Sequence, residues 1–273
     1  MAATRSLPEL QAMKKRGEKI AGVVAWDYQM ARIADRAGAD IISVGDSVGV
    51  NLWGHANPLE VTQQQIIIVA SAVRRGTTSA LLSVDFPFGP LQAGVDSAVR
   101  CAIELVKAAG ADLVKLDGAA AYPDAVEAVT RAGIPVWAQF GVTPQTALTY
   151  GIPYSAMSDP DAQLPPEMTE QMISEARLLE DAGASLLNFT NSGPVVGPEV
   201  VAAVDIPVLG GFGGGPWLDG RIRMSTSAIG YAESMIDDPR DTYANVGAIA
   251  YEALQAYVGD VRAGKQVKSG RPG

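Results

Sequence analysis

One phrase recurs where a helical pattern gives way to an apolar run. It reads Arg36-Ala37-Gly38-Ala39-Asp40, then Ala108-Ala109-Gly110-Ala111-Asp112, then Asp181-Ala182-Gly183-Ala184. A glycine just past a helix takes the left-handed conformation and lets the next segment start at once. Each joint leads into a short β-branched or apolar run, the pattern of a strand buried on both faces. Helices and buried strands in alternation give a parallel sheet.

Taken in order, the spacing predicts strands at 20–26, 40–44, 80–84, 112–116, 134–138, 184–189 and 206–209, with a weak eighth at 222–225. Helices are expected at 28–37, 61–75, 93–109, 125–132, 170–182 and 198–204, with a closing helix over 240–264. Residues 1–18 read as an N-terminal arm with a short helix, and 51–58 as a loop holding His55, the only histidine. Residues 143–168, rich in Pro, Tyr, Ser and Asp, form a segment long enough to serve as a lid or binding loop. Seven or eight βα units in 273 residues favour one (β/α)8 TIM barrel, an α/β fold, over an open doubly wound sheet. No linker breaks the pattern, so 1–273 reads as a single domain.

A net charge of −9 argues against nucleic acid or an anionic membrane as partner. There is no apolar run of ~20 residues to span a bilayer. No secretory leader is visible at the start, and one cysteine, Cys101, forms no internal disulfide, so the cytoplasm is the expected compartment. Cys101 falls inside a helical pattern and reads as a buried thiol.

Three carboxylates stand at the C-terminal ends of successive predicted strands: Asp46 in Val44-Gly-Asp-Ser-Val-Gly49, Asp85 after 80–84, and Asp117 after 113–116. Barrel enzymes place their active sites at that end. An oxygen-only set without Cys or His suits Mg²⁺ better than zinc. The alternative is that each Asp caps the helix after it. Lys115 lies two residues before Asp117 and so shares its face, placed to hold that acid or a substrate carboxylate. Gly210–Gly215 either offers backbone amides to an anion or simply lets chains pack closely. A lone histidine supplies neither a zinc cluster nor a nucleophile relay.

With these blocks in order, nearly the whole chain resembles the ketopantoate hydroxymethyltransferase family, of the isocitrate lyase and phosphoenolpyruvate mutase superfamily. The matching stretches are Val44–Gly49, Gly54-His55 with Pro58-Leu-Glu-Val-Thr62, Val84-Asp-Phe-Pro-Phe-Gly89, Val114-Lys-Leu-Asp-Gly118, Gly141-Val-Thr-Pro-Gln145, Ile206-Pro207 and Asp219-Gly220. The resemblance implies Mg²⁺ held by Asp46 and Asp85 with Asp117 nearby. It implies an oxo acid contacted by Asp46, Ser47 and Lys115, methylenetetrahydrofolate as one-carbon donor, and a homo-oligomer, typically a decamer. Three departures stand out. Thr190 occupies the place of the family's proton-abstracting Glu, Gln139 replaces a His, and Asp117 replaces a Glu. A threonine hydroxyl is no general base near neutral pH by itself. The expected site therefore combines the metal acids with Lys115, Thr190 and Gln139 in the reaction, and Ser47, Asn188, Asn191 and Gly211 around the substrate. Three functions are weighed: aldol or hydroxymethyl transfer on a 2-oxo acid or related dicarbonyl with a changed base; a Mg²⁺-dependent lyase, decarboxylase or hydrolase; and a non-catalytic oxo-acid-binding paralogue.

Overall fold

Eight short strands close on themselves in the computed structural model, in the order β1-β2-β3-β4-β5-β6-β7-β8 and all parallel where paired. They are Ile20–Val24, Ile41–Val44, Leu81–Asp85, Leu113–Leu116, Val136–Gly141, Leu186–Thr190, Val208–Gly210 and Gly220–Met224. The helices are α1 (Leu7–Arg16), α2 (Tyr28–Arg36), α3 (Val48–Trp53), α4 (Gln63–Gly76), α5 (Val95–Glu104), α6 (Pro123–Arg131), α7 (Thr169–Asp181), α8 (Val196–Ala203), α9 (Ser225–Ile229) and α10 (Val246–Arg262). This is the (β/α)8 barrel that the alternation predicts. The structure describes residues 5–157, 163–238 and 241–268, with the side chain of residue 150 left aside. It separates into two compact units, 1–222 and 223–273.

In the first unit the recurrent joint works as its composition suggests. Gly38, Gly110 and Gly183 all have positive φ, at 90°, 70° and 92°. The aspartates that follow two of them fasten the floor of the barrel. Asp40 accepts the Ala21 amide at 2.9 Å and Asp112 the Leu82 amide at 2.8 Å. Each thus ties the start of its own strand to the strand before it. Arg5 adds an ion pair to Asp40 at 2.6 Å, which pins the N-terminal arm. Capping also follows the sequence: Thr62 and Gln65 form a reciprocal capping box at the start of α4.

Alternation along the strands divides two kinds of side chain. Ile42, Val44, Leu82, Val84, Val114, Leu116, Phe140 and Phe189 are all buried, and Phe140 stacks on Phe189 with centroids 4.6 Å apart. The other face carries Ser43, Ser83, Asp85, Lys115, Trp137, Gln139, Asn188 and Thr190, all buried as well. Register links them laterally: Ser43↔Ser83, Asp85↔Lys115, Lys115↔Trp137, Gln139↔Asn188, Gly141↔Thr190. An apolar face toward the helices and a polar lumen toward the barrel axis account for both.

Several boundaries differ from expectation. Strand five runs 136–141 rather than 134–138, because Pro135 has no amide to give the ladder; its carbonyl accepts from Val114 at 3.0 Å. Strand six is shifted two residues later at its start. The expected 51–58 loop opens inside α3, which ends at Gly54 with φ 71°. The long segment 143–168 contains 3-10 turns at Ala147–Tyr150, Tyr154–Ala156 and Pro166–Met168, while its residues 158–162 lie outside the described residues.

In the second unit α9 ends at Gly230, φ 67°, and α10 is capped by Asn245, whose side chain accepts from the Ala248 amide. The expected helix start at 240 falls outside the described residues, and the helix begins at Val246. Tyr251, Leu254, Val258 and Val261 repeat at three- and four-residue steps along α10 and are all exposed. Among the described residues no helix is long and apolar enough to cross a membrane.

Candidate active site

Each acid sits where its strand runs out. β2 ends at Val44, and Gly45 turns the chain so that Asp46 points back over the barrel. A Cβ on Gly45 would lie 2.8 Å from Ser47 Oγ, so any larger residue here would push the serine hydroxyl aside. The Asp46 amide donates to the Asp85 carboxylate, which draws the two acids together. Asp85 is the last residue of β3, and Lys115 Nζ reaches its Oδ2 at 2.7 Å with both side chains buried. Ser43 Oγ donates to the other Asp85 oxygen at 3.4 Å. Asp117 follows β4 and accepts the Gln145 amide at 3.3 Å. None of the three caps the helix that follows: those positions belong to Ser47, Gly94 and Gly118.

The electrostatics follow from crowding acids around one cation in a buried place. Burial first, and then the Asp85 charge, raise Asp46 to about 6 against the pull of Lys115. Burial and the Asp46 charge raise Asp117 to about 7. Asp85 is also raised by burial, with Lys115 opposing. Burial works against the charge of Lys115, but Asp85 and Asp46 together outweigh it and hold its pKa above the ordinary value. Three buried acids share one ammonium, so the mouth holds an excess of negative charge that a cation would relieve.

Is the donor set suited to Mg²⁺? All three acids are brought to one mouth, and Asp117 Oδ1 is buried with no hydrogen-bond partner among the described residues. Among the described residues, however, no three ligating side chains close into a ready cage. Mg²⁺ is ordinarily held by one or two carboxylates, with water and substrate oxygens completing the shell. Asp46 and Asp85, with Asp117 acting through water, fit that mode.

The arc continues around the barrel. Leu116, one residue before Asp117, pairs with Ala138, one residue before Gln139. Gln139 Nε2 donates to Thr190 Oγ1 at 3.1 Å. Asn188 lies across from Gln139 on β6, and its Oδ1 is buried and unpaired among the described residues. Asn191, φ 55°, has a turn role: its amide donates to the Phe212 carbonyl and its own carbonyl accepts from Leu164. Gly210 to Gly215 resolve as close packing. A Cβ on Gly210 would meet Leu218 at 2.5 Å and one on Gly215 would meet Trp217 at 2.3 Å, whereas Gly211 alone of that run has room. His55 packs beside Gly49 with Nδ1 buried and unpaired among the described residues, and burial pushes the Cys101 thiol up to about 12.

Gln145 closes one of the matching stretches, but the motif gave it no role. Its Nε2 donates to Asp46 Oδ2 at 2.8 Å and to the Phe86 carbonyl at 3.2 Å. Tyr154, edge-on to Phe212 at 6.3 Å, also faces the acids: burial first, then Asp46 and Asp117, raise its phenol. Trp137 went unread too; its ring lies 5.7 Å from Lys115 Nζ. An amide and two aromatics inside apolar or loop sequence carry little signal until the fold sets them beside the acids.

Comparison with known proteins is decisive for kinship. The sequence pattern of the family described as ketopantoate hydroxymethyltransferase matches residues 4–266. The chain belongs to that family. Proteins named 3-methyl-2-oxobutanoate hydroxymethyltransferase resemble it at 37% identity in Salinibacter ruber, covering 93% of each chain, and at 36% in Moorella thermoacetica, covering 95% of this chain and 94% of that one. Among solved structures, 2,3-dimethylmalate lyase, of the PEP mutase/isocitrate lyase superfamily, shares the fold with TM-score 0.61 at 15% identity, covering 98% of this chain and 92% of that one. Phosphonopyruvate hydrolase in complex with oxalate and Mg²⁺ shares it with TM-score 0.55 at 16% identity, covering 99% and 92%.

Proposed function

We propose that this member of the family is a Mg²⁺-dependent enzyme that makes a carbon–carbon bond to a 2-oxo acid or related dicarbonyl, in an aldol or hydroxymethyl-transfer reaction. The observation that carries the reading is the buried group Asp46, Asp85, Lys115 and Asp117, whose acids lie at the tips of three adjacent strands. Asp46 and Asp85 would hold the ion, Asp117 would support it through water, and Lys115, Ser47 and the free face of Gly211 would orient the substrate. The bound ion would supply Lewis acidity to the keto oxygen. Lys115 keeps the substrate carboxylate from meeting unbalanced acids. Methylenetetrahydrofolate, the one-carbon donor implied by family resemblance, is the donor to try first.

Proton transfer is where this chain differs. Thr190 and Gln139 form a neutral hydrogen-bonded pair at 3.1 Å, and neither removes a C–H proton unaided. That observation favours a second reading, a lyase, decarboxylase or hydrolase, in which bond cleavage itself leaves the enolate. A binding-only paralogue is the remaining alternative. Asp46→Ala and Asp85→Ala are expected to abolish Mg²⁺-dependent turnover of an oxo acid; unchanged turnover would remove the proposal. Deuterium exchange at C3 of trial oxo acids separates the readings: exchange supports bond formation, product release without exchange supports cleavage, and tight binding with neither supports the paralogue. An assembly of identical chains belongs to the same proposal, supported by the exposed apolar stripe of α10.

A further inference from the structure

Tyr154 stands in the 3-10 turn Tyr154–Ala156, on the segment that follows β5. Gln145 fastens that segment over the mouth, its side chain reaching Asp46 and its amide Asp117. Met157, three residues past the tyrosine, is fully buried and anchors the turn. Phe212, on the loop after β7, meets the Tyr154 ring edge-on at 6.3 Å and 84°. The charges of Asp46 and Asp117 both act on the phenol and keep its proton in place. Its O–H makes no hydrogen bond among the described residues. A tyrosine drawn out of water normally finds a partner for its hydroxyl.

Other donors near the acids are already engaged. Gln145 Nε2 gives to Asp46 and to the Phe86 carbonyl, and Lys115 Nζ is held by Asp85. The phenol is free, and it faces the acids from the opposite side of the mouth. With an oxo acid seated at the acids, the atom whose charge changes most is the keto oxygen. It is neutral in the bound acid and negative in the enolate, whether the reaction makes a carbon–carbon bond or breaks one. A donor set before reaction where that charge develops stabilises the transition state more than the ground state.

Resting on the oxo-acid reading above, we infer that Tyr154 is a catalytic residue whose O–H donates to the keto oxygen as the substrate becomes an enolate, with Phe212 as the positioning residue for its ring. The proton stays on the phenol throughout, so this contact consumes no acid or base. A ring that only roofed the mouth would hold the keto form and the enolate alike and would not speed their interconversion.

The test is calorimetric binding of two ligands, with Mg²⁺ present throughout. Oxalate is a planar dianion with the charge of an oxo-acid enolate, whereas 3-methyl-2-oxobutanoate presents a neutral keto oxygen. Tyr154→Phe keeps the ring and removes only the hydroxyl; thermal melting checks its fold. It is expected to weaken oxalate roughly 10- to 100-fold, the worth of a hydrogen bond to a charged oxygen, and the oxo acid by no more than about threefold. Phe212→Leu leaves the phenol and loosens its ring, so it should lose part of the same discrimination; it decides the matter if Tyr154→Phe fails to fold. Equal weakening of both ligands, the result for a mere roof, or weakening of neither would overturn the assignment and leave the oxo-acid reading standing. Binding of neither ligand by the unmodified protein would overturn both.

Discussion

Replacing Lys115 by Met keeps a side chain of similar length and removes only the ammonium. The Lys115–Asp85 pair is short, at 2.7 Å, and buried on both sides. Asp85 would be left with a 3.4 Å bond from Ser43, the amide of Asp46, and an acid neighbour of its own sign. Breaking one half of a buried pair costs about 3–5 kcal/mol, because the stranded charge stays in place. At about 2–4 °C per kcal/mol for a domain of this size, the melting temperature at pH 8 should fall by roughly 6–20 °C. The sign of the pH effect follows from the acids. Their folded pKa values already lie above the unfolded ones, with Asp46 at about 6 and Asp117 at about 7. Stability from such groups is fully present below the unfolded value and is lost as pH rises through the folded one. Loss of the ammonium raises the folded values further, so the gap between variant and parent should narrow from pH 8 toward pH 5. Adding Asp85→Asn should recover most of the loss, since the double variant strands no charge. Melting curves by circular dichroism at pH 5, 6.5 and 8 decide it. A loss below about 1 kcal/mol at pH 8, or a gap that does not change with pH, would refute the claim that Lys115 neutralises this cluster.

Thr190→Glu should restore a carboxylate at the mouth and raise C3 deuterium exchange of 3-methyl-2-oxobutanoate by ~10²-fold or more, read by proton NMR, if the missing base is what separates this chain from its relatives. Mg²⁺ binding at pH 6–6.5 should release protons, because a cation lowers the raised pKa values of Asp46 and Asp117; titration calorimetry in buffers of different ionisation enthalpy measures it, and the release should vanish by pH 8.5. Leu254→Asp with Val258→Asp on α10 should lower the assembled mass by light scattering while leaving the melting temperature of the barrel within a few degrees; unchanged mass would remove the stripe from any interface.

The barrel was legible because its information is local and repeated. A glycine stop, an apolar run and an acid at the tip recur every few dozen residues, and each fixes backbone geometry by itself. The cluster of buried acids was legible for the same reason, since Asp46, Asp85 and Asp117 hold equivalent places in three repeats. What escaped was set by distance in the chain. Gln145 meets Asp46 from 99 residues away, and its role depends on how a long loop folds back. The glycine run admitted two readings until Leu218 and Trp217 were seen to fill the space. Strand edges slipped where one residue mattered, as at Pro135, whose missing amide postponed β5.

The Gln145 side chain has a consequence for how the mouth responds to its contents. One amide fastens the loop to an oxygen that an incoming ion would also seek, while the same residue's backbone holds Asp117. If the acids take an ion, as proposed, loop attachment and ion capture would draw on that shared oxygen, and the free energy by which each weakens the other would be the same in both directions. Occupancy at the acids and the attachment of the chain around Gln145 would then be two readouts of a single equilibrium.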